Sequence, residues 1–236
     1  MTQPFDVQSD LADAPRVAGA RLRPRHAATL VIVRRDGPEP CVLMGRRAHG
    51  HVFMAAKWVF PGGRVDRSDY RAPSASELKP EVAARAGLGG PPSLARALAL
   101  AAVRETFEEA GLLLARPAPP RPASGPWRDF IGRGVLPDLE PLDYIARAIT
   151  PPGRARRFDA RFFMAEADAL LSLERSEGCG ELDEIAWIPL SETEALDLPA
   201  ITRFVLGEVK ARVAGEGRRA PFVRFVRGRH VIGYAD

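Results

Sequence analysis

Three glutamates, Glu105, Glu108 and Glu109, stand close together in a segment whose apolar residues recur at helical spacing. Set Glu105 at zero and advance about 100° per residue; Glu109 then falls at about 40° and Glu108 at about −60°, so the three share one face. Leu100, Val103, Phe107 and Ala110 cluster on the opposite face, as a core-facing stripe does. Like charges at these spacings repel by a few tenths of a kcal/mol per pair in an isolated helix. A hard divalent cation with oxygen ligands reverses that sign, so the chemistry these residues suggest is metal holding. The competing reading is a solvated helix face with no ligand. What shifts the balance is the glycine turn Phe60-Pro61-Gly62-Gly63, about forty residues upstream, where a backbone without Cβ atoms approaches a ligand closely.

Together the two stretches resemble the Nudix box, Gly-x5-Glu-x7-Arg-Glu-U-x-Glu-Glu-x-Gly-U, where U is a bulky apolar residue. Gly63 stands at the box glycine and Arg104 to Leu112 at the downstream half, where every fixed position is matched. Thr106 is a mild departure at the first U. The upstream half departs further: the acid six residues after Gly63 is Asp69 rather than Glu, and about 27 extra residues separate it from Arg104. That insertion, with Phe-Pro-Gly-Gly-x-x-Asp-x-x-Asp ending in Asp66 and Asp69, resembles the branch containing peroxisomal coenzyme A diphosphatases and their bacterial relatives.

The resemblance implies an α/β fold, a mixed β-sheet sandwiched between helices in three layers. It implies Mg²⁺- or Mn²⁺-dependent cleavage of a diphosphate linked to another moiety, with Glu105, Glu108 and Glu109 as metal ligands and the Gly63 carbonyl as a further contact. Arg104 would orient the box acids, with Asp69 as its partner; the bland alternative is a solvated helix arginine. Family members also recruit a base from a loop before the last sheet strand. Among Glu181, Asp183 and Glu184, the candidate for that role is Glu184, against a solvated loop acid; Trp187 reads as core. Gly62, Gly63, Arg46 and Arg47 are candidates for holding substrate, and so are Arg154, Arg156 and Arg157. His49 and His51 read as exposed loop residues rather than catalytic groups.

Coenzyme A or acyl-coenzyme A ranks first among substrates, with ADP-ribose, dinucleotides and nucleoside triphosphates left open. The rivals from other classes are a Nudix-fold binding module without turnover, which would have no chemical need for all three acids, and an RNA-directed protein. The resemblance also favours a homodimer.

The bulk composition restricts these readings without choosing among them. At 236 residues with 46% apolar and 27% charged residues, the chain has enough material for a sizeable core. No apolar run approaches the roughly 18 residues that span a bilayer. Residues 1–13 are acidic and polar, unlike a secretory signal, and residues 232–236 do not read as a peroxisomal address, so a cytoplasmic location is expected. Two cysteines, Cys41 and Cys179, are too few for a disulfide framework or a zinc site. The net charge of +4 is carried almost wholly by arginine, which suits a polyanionic small molecule; no stripe suited to nucleic acid is evident, and nucleic acid is an unlikely partner.

The elements that must position the site follow from periodicity and turn signals. Residues 1–24 read as a lead-in and 25–236 as one domain, with the insertion at about 67–92 and a helix over 75–86. Strands are expected over residues 26–35, 40–46, 57–60, 112–114, 142–150, 158–165 and 184–189. The main helix spans 94–110, capped by Ser93 and stopped by Gly111. Residues 116–126 are a proline-rich loop and 127–133 a short helix. Residues 191–196 and 199–213 read as helical, with Ser191-x-x-Glu194 as a capping box.

Overall fold

A computed structural model describes residues 22–47, 57–176 and 182–234. The apolar run expected near the start forms β1 (Arg25–Arg34), and both of its faces are covered. Leu30 and Ile32 pack into one hydrophobic cluster, while Val31 and Val33 point into a second on the opposite side. A strand buried on both faces has no polar side, which is why this stretch reads as continuous rather than alternating.

β2 (Cys41–Arg47) returns antiparallel to β1, and the two short strands β3 (Trp58–Val59) and β4 (Gly62–Arg64) follow. β4 lies against β1, pairing Gly63 with Ala28 and Gly62 with Thr29. After a 3-10 turn at Arg67–Tyr70 come α1 (Pro80–Ala86) and α2 (Leu94–Ala110). β5 (Ala115–Pro117), α3 (Arg128–Gly132) and β6 (Val135–Pro137) form a small outlying unit in which β5 pairs with β6. β7 (Asp143–Ile149) and β8 (Phe158–Glu166) return to the main sheet, followed by β9 (Leu182–Pro189), α4 (Ala200–Val213), β10 (Pro221–Val226) and β11 (Arg229–Tyr234).

Among the described residues the large sheet runs β11-β10-β7-β8-β1-β2-β3, with β4 on β1 and β9 on β2. The β1–β8 and β7–β10 pairs are parallel and the others antiparallel, so the sheet is mixed. α1 and α2 cover one face through Val82, Leu98 and Val103. On the other, α4 packs through Val205, Leu206 and Val209. This is the three-layer α/β/α arrangement expected from the sequence.

Several boundaries differ from expectation for identifiable reasons. Residues 112–114 form no strand; Leu112 and Leu114 are buried as coil, and a short apolar run cannot be told from a strand by periodicity alone. The helix of the insertion starts only at Pro80, where a first-turn proline loses no helical hydrogen bond. Ser93 makes no capping hydrogen bond through its side chain. Nor does Ser191: its hydroxyl donates to Glu39 Oε2 at 2.8 Å, and the segment after it is a 3-10 turn, Glu192–Ala195. The β10–β11 hairpin was not anticipated. No helix among the described residues is long and apolar enough to cross a membrane.

Candidate functional site

Helix α2 ends where the site begins. Gly111 takes φ 71° and donates its N–H to the Phe107 carbonyl, stopping the helix one residue after the last acidic turn. The apolar stripe is wider than the helical wheel suggests, since Ala97, Ala101, Ala102 and Thr106 are also buried. Small residues on those faces let α2 lie close to the sheet, and this brings its acidic turn against β4.

The contact with β4 explains both glycines. A Cβ on Gly62 would lie 2.6 Å from the Ala28 carbonyl oxygen and 2.7 Å from Thr29 Cα, which are fixed by strand pairing. A Cβ on Gly63 would overlap the carboxylate of Glu105. The Gly62 N–H donates to Glu109 Oε2 at 2.8 Å, so the glycine turn and the helix are joined directly.

Arg104 is the hub. Its Nε and Nη2 donate to the two carboxylate oxygens of Asp69 at 2.9 and 3.1 Å, a fork-to-fork pair in which the two side chains are 5% and 0% exposed. Nη1 donates to Glu105 Oε1 at 2.9 Å and to Glu108 Oε2 at 2.8 Å, and Nη2 also reaches the Arg64 carbonyl. Burial alone would depress the Arg104 guanidinium; the hydrogen bonds to Asp69 and the charges of Glu105, Asp69 and Glu108 outweigh it and hold the group above its ordinary range. The solvated-arginine reading is thereby excluded. On a helical wheel Arg104 falls about 100° from Glu105, away from the glutamate face, but its long side chain bends back over positions i+1 and i+4.

Asp69 reaches the hub because the 3-10 turn at Arg67–Tyr70 is capped at both ends of its first turn. Asp66 accepts from the Ser68 N–H at 2.8 Å, and the Asp66 N–H donates back to Asp69 Oδ2 at 2.7 Å. The Ser68 hydroxyl and N–H hold the Asp66 carboxyl below its usual range. Trp127 Nε1 donates to Asp69 Oδ1 at 3.0 Å from the far side of the insertion. The rest of the insertion turns away: Arg161 Nε and Arg147 Nη1 donate to the Ala86 and Leu88 carbonyls behind the sheet. None of residues 67–92 lines the cleft described next.

That cleft encloses about 900 Å³ in front of the acidic turn. Asp66, Glu105, Glu108 and Glu109 line one side, with Gly62 and Gly63 at the base. Arginines line much of the remainder, namely Arg23, Arg25, Arg47, Arg64, Arg154, Arg156 and Arg157, with His230 from β11. Burial and the charge of Arg154 hold His230 below the usual histidine range.

The predicted residues therefore separate into two groups. Glu105, Glu108, Glu109, Arg104, Gly62, Gly63 and Arg47 come together at the cleft, and Arg154, Arg156 and Arg157 join its wall. Arg46 and Glu184 do not line it. They face each other across the β2–β9 pair, with Arg46 Nη2 3.0 Å from Glu184 Oε2. Regular alternation would put Arg46 on the face of Val42 and Met44, but the β2–β9 register shifts between Arg46 and Arg47, and the irregularity separates the two side chains. His49, His51, Glu181 and Cys179 lie outside the described residues. Sequence reading missed Arg23, Arg25, Arg64 and His230. A hairpin signal was present for the last, since Arg227-Gly228 interrupts two β-rich runs and both residues adopt positive φ.

Among the described residues no three acidic, histidine or cysteine side chains are gathered closely enough to hold a metal ion as they stand, and Arg104 bridges Glu105 and Glu108. The donor set nevertheless fits one. It consists of carboxylate oxygens, with Asp69, Glu105 and Glu108 around one arginine and Glu109 beside them on the Gly62 amide, and hard divalent cations prefer such ligands.

Comparison with known proteins places these observations. No family model matches the chain. A solved NUDIX hydrolase from Alicyclobacillus acidocaldarius is 30% identical with a TM-score of 0.60, and the match covers 85% of this chain and 99% of that one. Acyl-coenzyme A diphosphatase NUDT19 of Gallus gallus is 30% identical in an alignment of 185 residues, with 53% of this chain and 48% of the relative covered. Its Homo sapiens counterpart is 30% identical over 175 residues. The chain spans about half the length of these curated relatives.

Proposed function

Because the chain belongs to the Nudix hydrolase superfamily, we propose that its cleft hydrolyses a phosphoanhydride in a nucleoside diphosphate linked to another moiety, with coenzyme A or acyl-coenzyme A as the substrate class. The observation that carries this reading is the buried Asp69–Arg104 pair, which presents Glu105 and Glu108 at the acidic end of a cleft whose other walls carry arginines among apolar residues such as Val59, Phe60, Phe162 and Ile201. A solvated helix face would need neither the buried pair nor the cleft. The coenzyme A preference is supported by the insertion between Asp69 and Arg104 and by the likeness to acyl-coenzyme A diphosphatases.

Glu105, Glu108 and Glu109 would hold Mg²⁺ or Mn²⁺, with the Gly63 carbonyl as a further oxygen contact. When bound, such an ion neutralises diphosphate charge and lowers the pKa of a water molecule to make it a nucleophile. Arg104, fixed by Asp69, sets the direction of the Glu105 and Glu108 carboxylates. Glu109 holds the Gly62 amide and so keeps the glycine turn against the helix. The missing Cβ at Gly63 leaves the space that the Glu105 carboxylate needs. Arg47 and Arg64 stand on the cleft wall, where guanidinium forks orient phosphate oxygens. Glu184, paired with Arg46 away from the cleft, is left outside this set. The partner is thus a small nucleotide-type diphosphate, and a homodimer is expected by light scattering.

The test is incubation with Mg²⁺ or Mn²⁺ and a panel of coenzyme A, acetyl-coenzyme A, ADP-ribose, NADH and nucleoside triphosphates, with products identified by mass spectrometry. Release of adenosine 3′,5′-bisphosphate and a phosphopantetheine, abolished in Glu108→Gln, is the expected result. Selective turnover of another compound discards the coenzyme A class. Absence of metal-dependent turnover across the panel favours a binding module or a substrate outside the panel.

A further inference from the structure

The arginines of the cleft are not spread evenly around the glutamates. Along β1, Arg25 lies three residues from Ala28, the strand partner of Gly63, and so about 10 Å from the acidic turn at the usual strand rise. Arg157 and Phe158 lie beside Arg25 at this far end, because β8 runs parallel to β1 with Phe158 opposite Arg25. A diphosphate that a divalent cation would hold beside Glu105 and Glu108 does not extend that far.

The loop that carries these arginines is held in place. Pro151-Pro152-Gly153 turns with Gly153 at φ 80°, the conformation that the third position of a type II turn requires. Arg157 Nε donates to the Thr150 carbonyl at 3.0 Å, and Arg157 Nη1 donates to the Leu22 carbonyl at 2.6 Å. The Arg25 N–H donates to the Arg157 carbonyl at 2.9 Å. Arg154, turned back into the wall, is buried yet borders the cleft, whereas Arg25 and Arg156 are exposed. The one cleft acid that follows β4, Asp66, is engaged by the Ser68 N–H and hydroxyl.

We propose that this end of the cleft is a second anion site, formed by Arg25, Arg154 and Arg156, that takes a phosphate monoester carried by the substrate apart from its scissile diphosphate. The inference rests on the diphosphatase reading and deepens it: the substrate class becomes nucleotides phosphorylated on the sugar as well as in the anhydride. The backbone beneath these guanidiniums is held, so binding has to order only the exposed Arg25 and Arg156 side chains, and the preference they confer is one of affinity for the extra phosphate.

Isothermal titration without added metal reads the site separately from turnover. Adenosine 3′,5′-bisphosphate and adenosine 5′-monophosphate are titrated into the wild-type chain and into an Arg25→Ala/Arg156→Ala variant, with thermal unfolding to confirm that the variant folds. The expected result is at least about tenfold tighter binding of the bisphosphate by the wild type, with that ratio falling towards one in the variant. Equal affinity of the wild type for both nucleotides overturns the proposal, as does an unchanged ratio in the variant. A preference for the bisphosphate without hydrolysis of any diphosphate keeps the anion site and removes the diphosphatase reading. Cleavage of coenzyme A and dephospho-coenzyme A with equal kcat/KM, alongside equal binding of the two nucleotides, does the reverse.

Discussion

Replacing Asp69 by Asn tests whether the buried pair organises the site. The carboxylate accepts four hydrogen bonds, two from Arg104, one from Trp127 Nε1 and one from the Asp66 N–H. An amide keeps the shape but offers one acceptor oxygen and two N–H donors. If its nitrogen replaces Oδ2, it faces the Arg104 Nη2 and Asp66 N–H donors. Placed at Oδ1 instead, it faces Arg104 Nε and the Trp127 indole. Either way two donors lose their acceptor, and the buried guanidinium loses a full counter-charge. Breaking a buried pair by removing one partner costs about 3–5 kcal/mol. With urea m-values of about 1–3 kcal/mol/M, the midpoint should fall by roughly 1–5 M. Arg104 would then no longer aim Glu105 and Glu108, so metal-dependent turnover should fall in parallel. A loss of less than about 1 kcal/mol with turnover intact would refute the reasoning, because the pair would then hold neither fold nor site. Asp69→Glu supplies the acid of the uninterrupted box pattern, but the extra methylene enters a fully buried position and should destabilise by about 1–3 kcal/mol.

The two glycines should separate stability from activity. Gly62→Ala meets strand backbone and should cost about 1–3 kcal/mol in urea unfolding, while Gly63→Ala meets a carboxylate that can swing aside and should chiefly abolish turnover. Tyr144 gives a pH prediction. Burial pushes its phenol up to about 12, so the contribution is intact below pH 10 and is lost as pH rises towards 12, while the unfolded chain ionises first. Its hydroxyl has no hydrogen-bond partner among the described residues, so Tyr144→Phe should be neutral or slightly stabilising at pH 7 and should flatten the alkaline loss in a pH-resolved thermal melt. Chelation with EDTA should abolish turnover, and added Mg²⁺ or Mn²⁺ should restore it in the wild type but not in Glu108→Gln; activity surviving chelation would remove the metal from the reading.

Helix α2 was legible because both of its signals are local: the apolar spacing from Leu94 and the terminating Gly111. β1 and β8 were legible as apolar runs, although their parallel pairing joins residues more than a hundred positions apart. The outlying β5–β6 unit was not, since each strand has three residues and is defined only by its partner. Arg46 and Arg47 illustrate the same limit at the site. They are adjacent and chemically identical, and only the β2–β9 pairing, with its register shift between them, directs one to the cleft and the other to Glu184.

By itself the sequence determined the chemistry available, three carboxylates on one helical face near a turn without Cβ atoms, because helix period and glycine geometry are properties of neighbouring residues. The tertiary structure decided what surrounds that chemistry. It sends the insertion behind the sheet while leaving Asp69 locked under Arg104, and it brings Arg25, Arg154 and His230 to one cleft from three separate elements. Those contacts depend on register and layer packing across the whole sheet, and no local pattern in the chain encodes them.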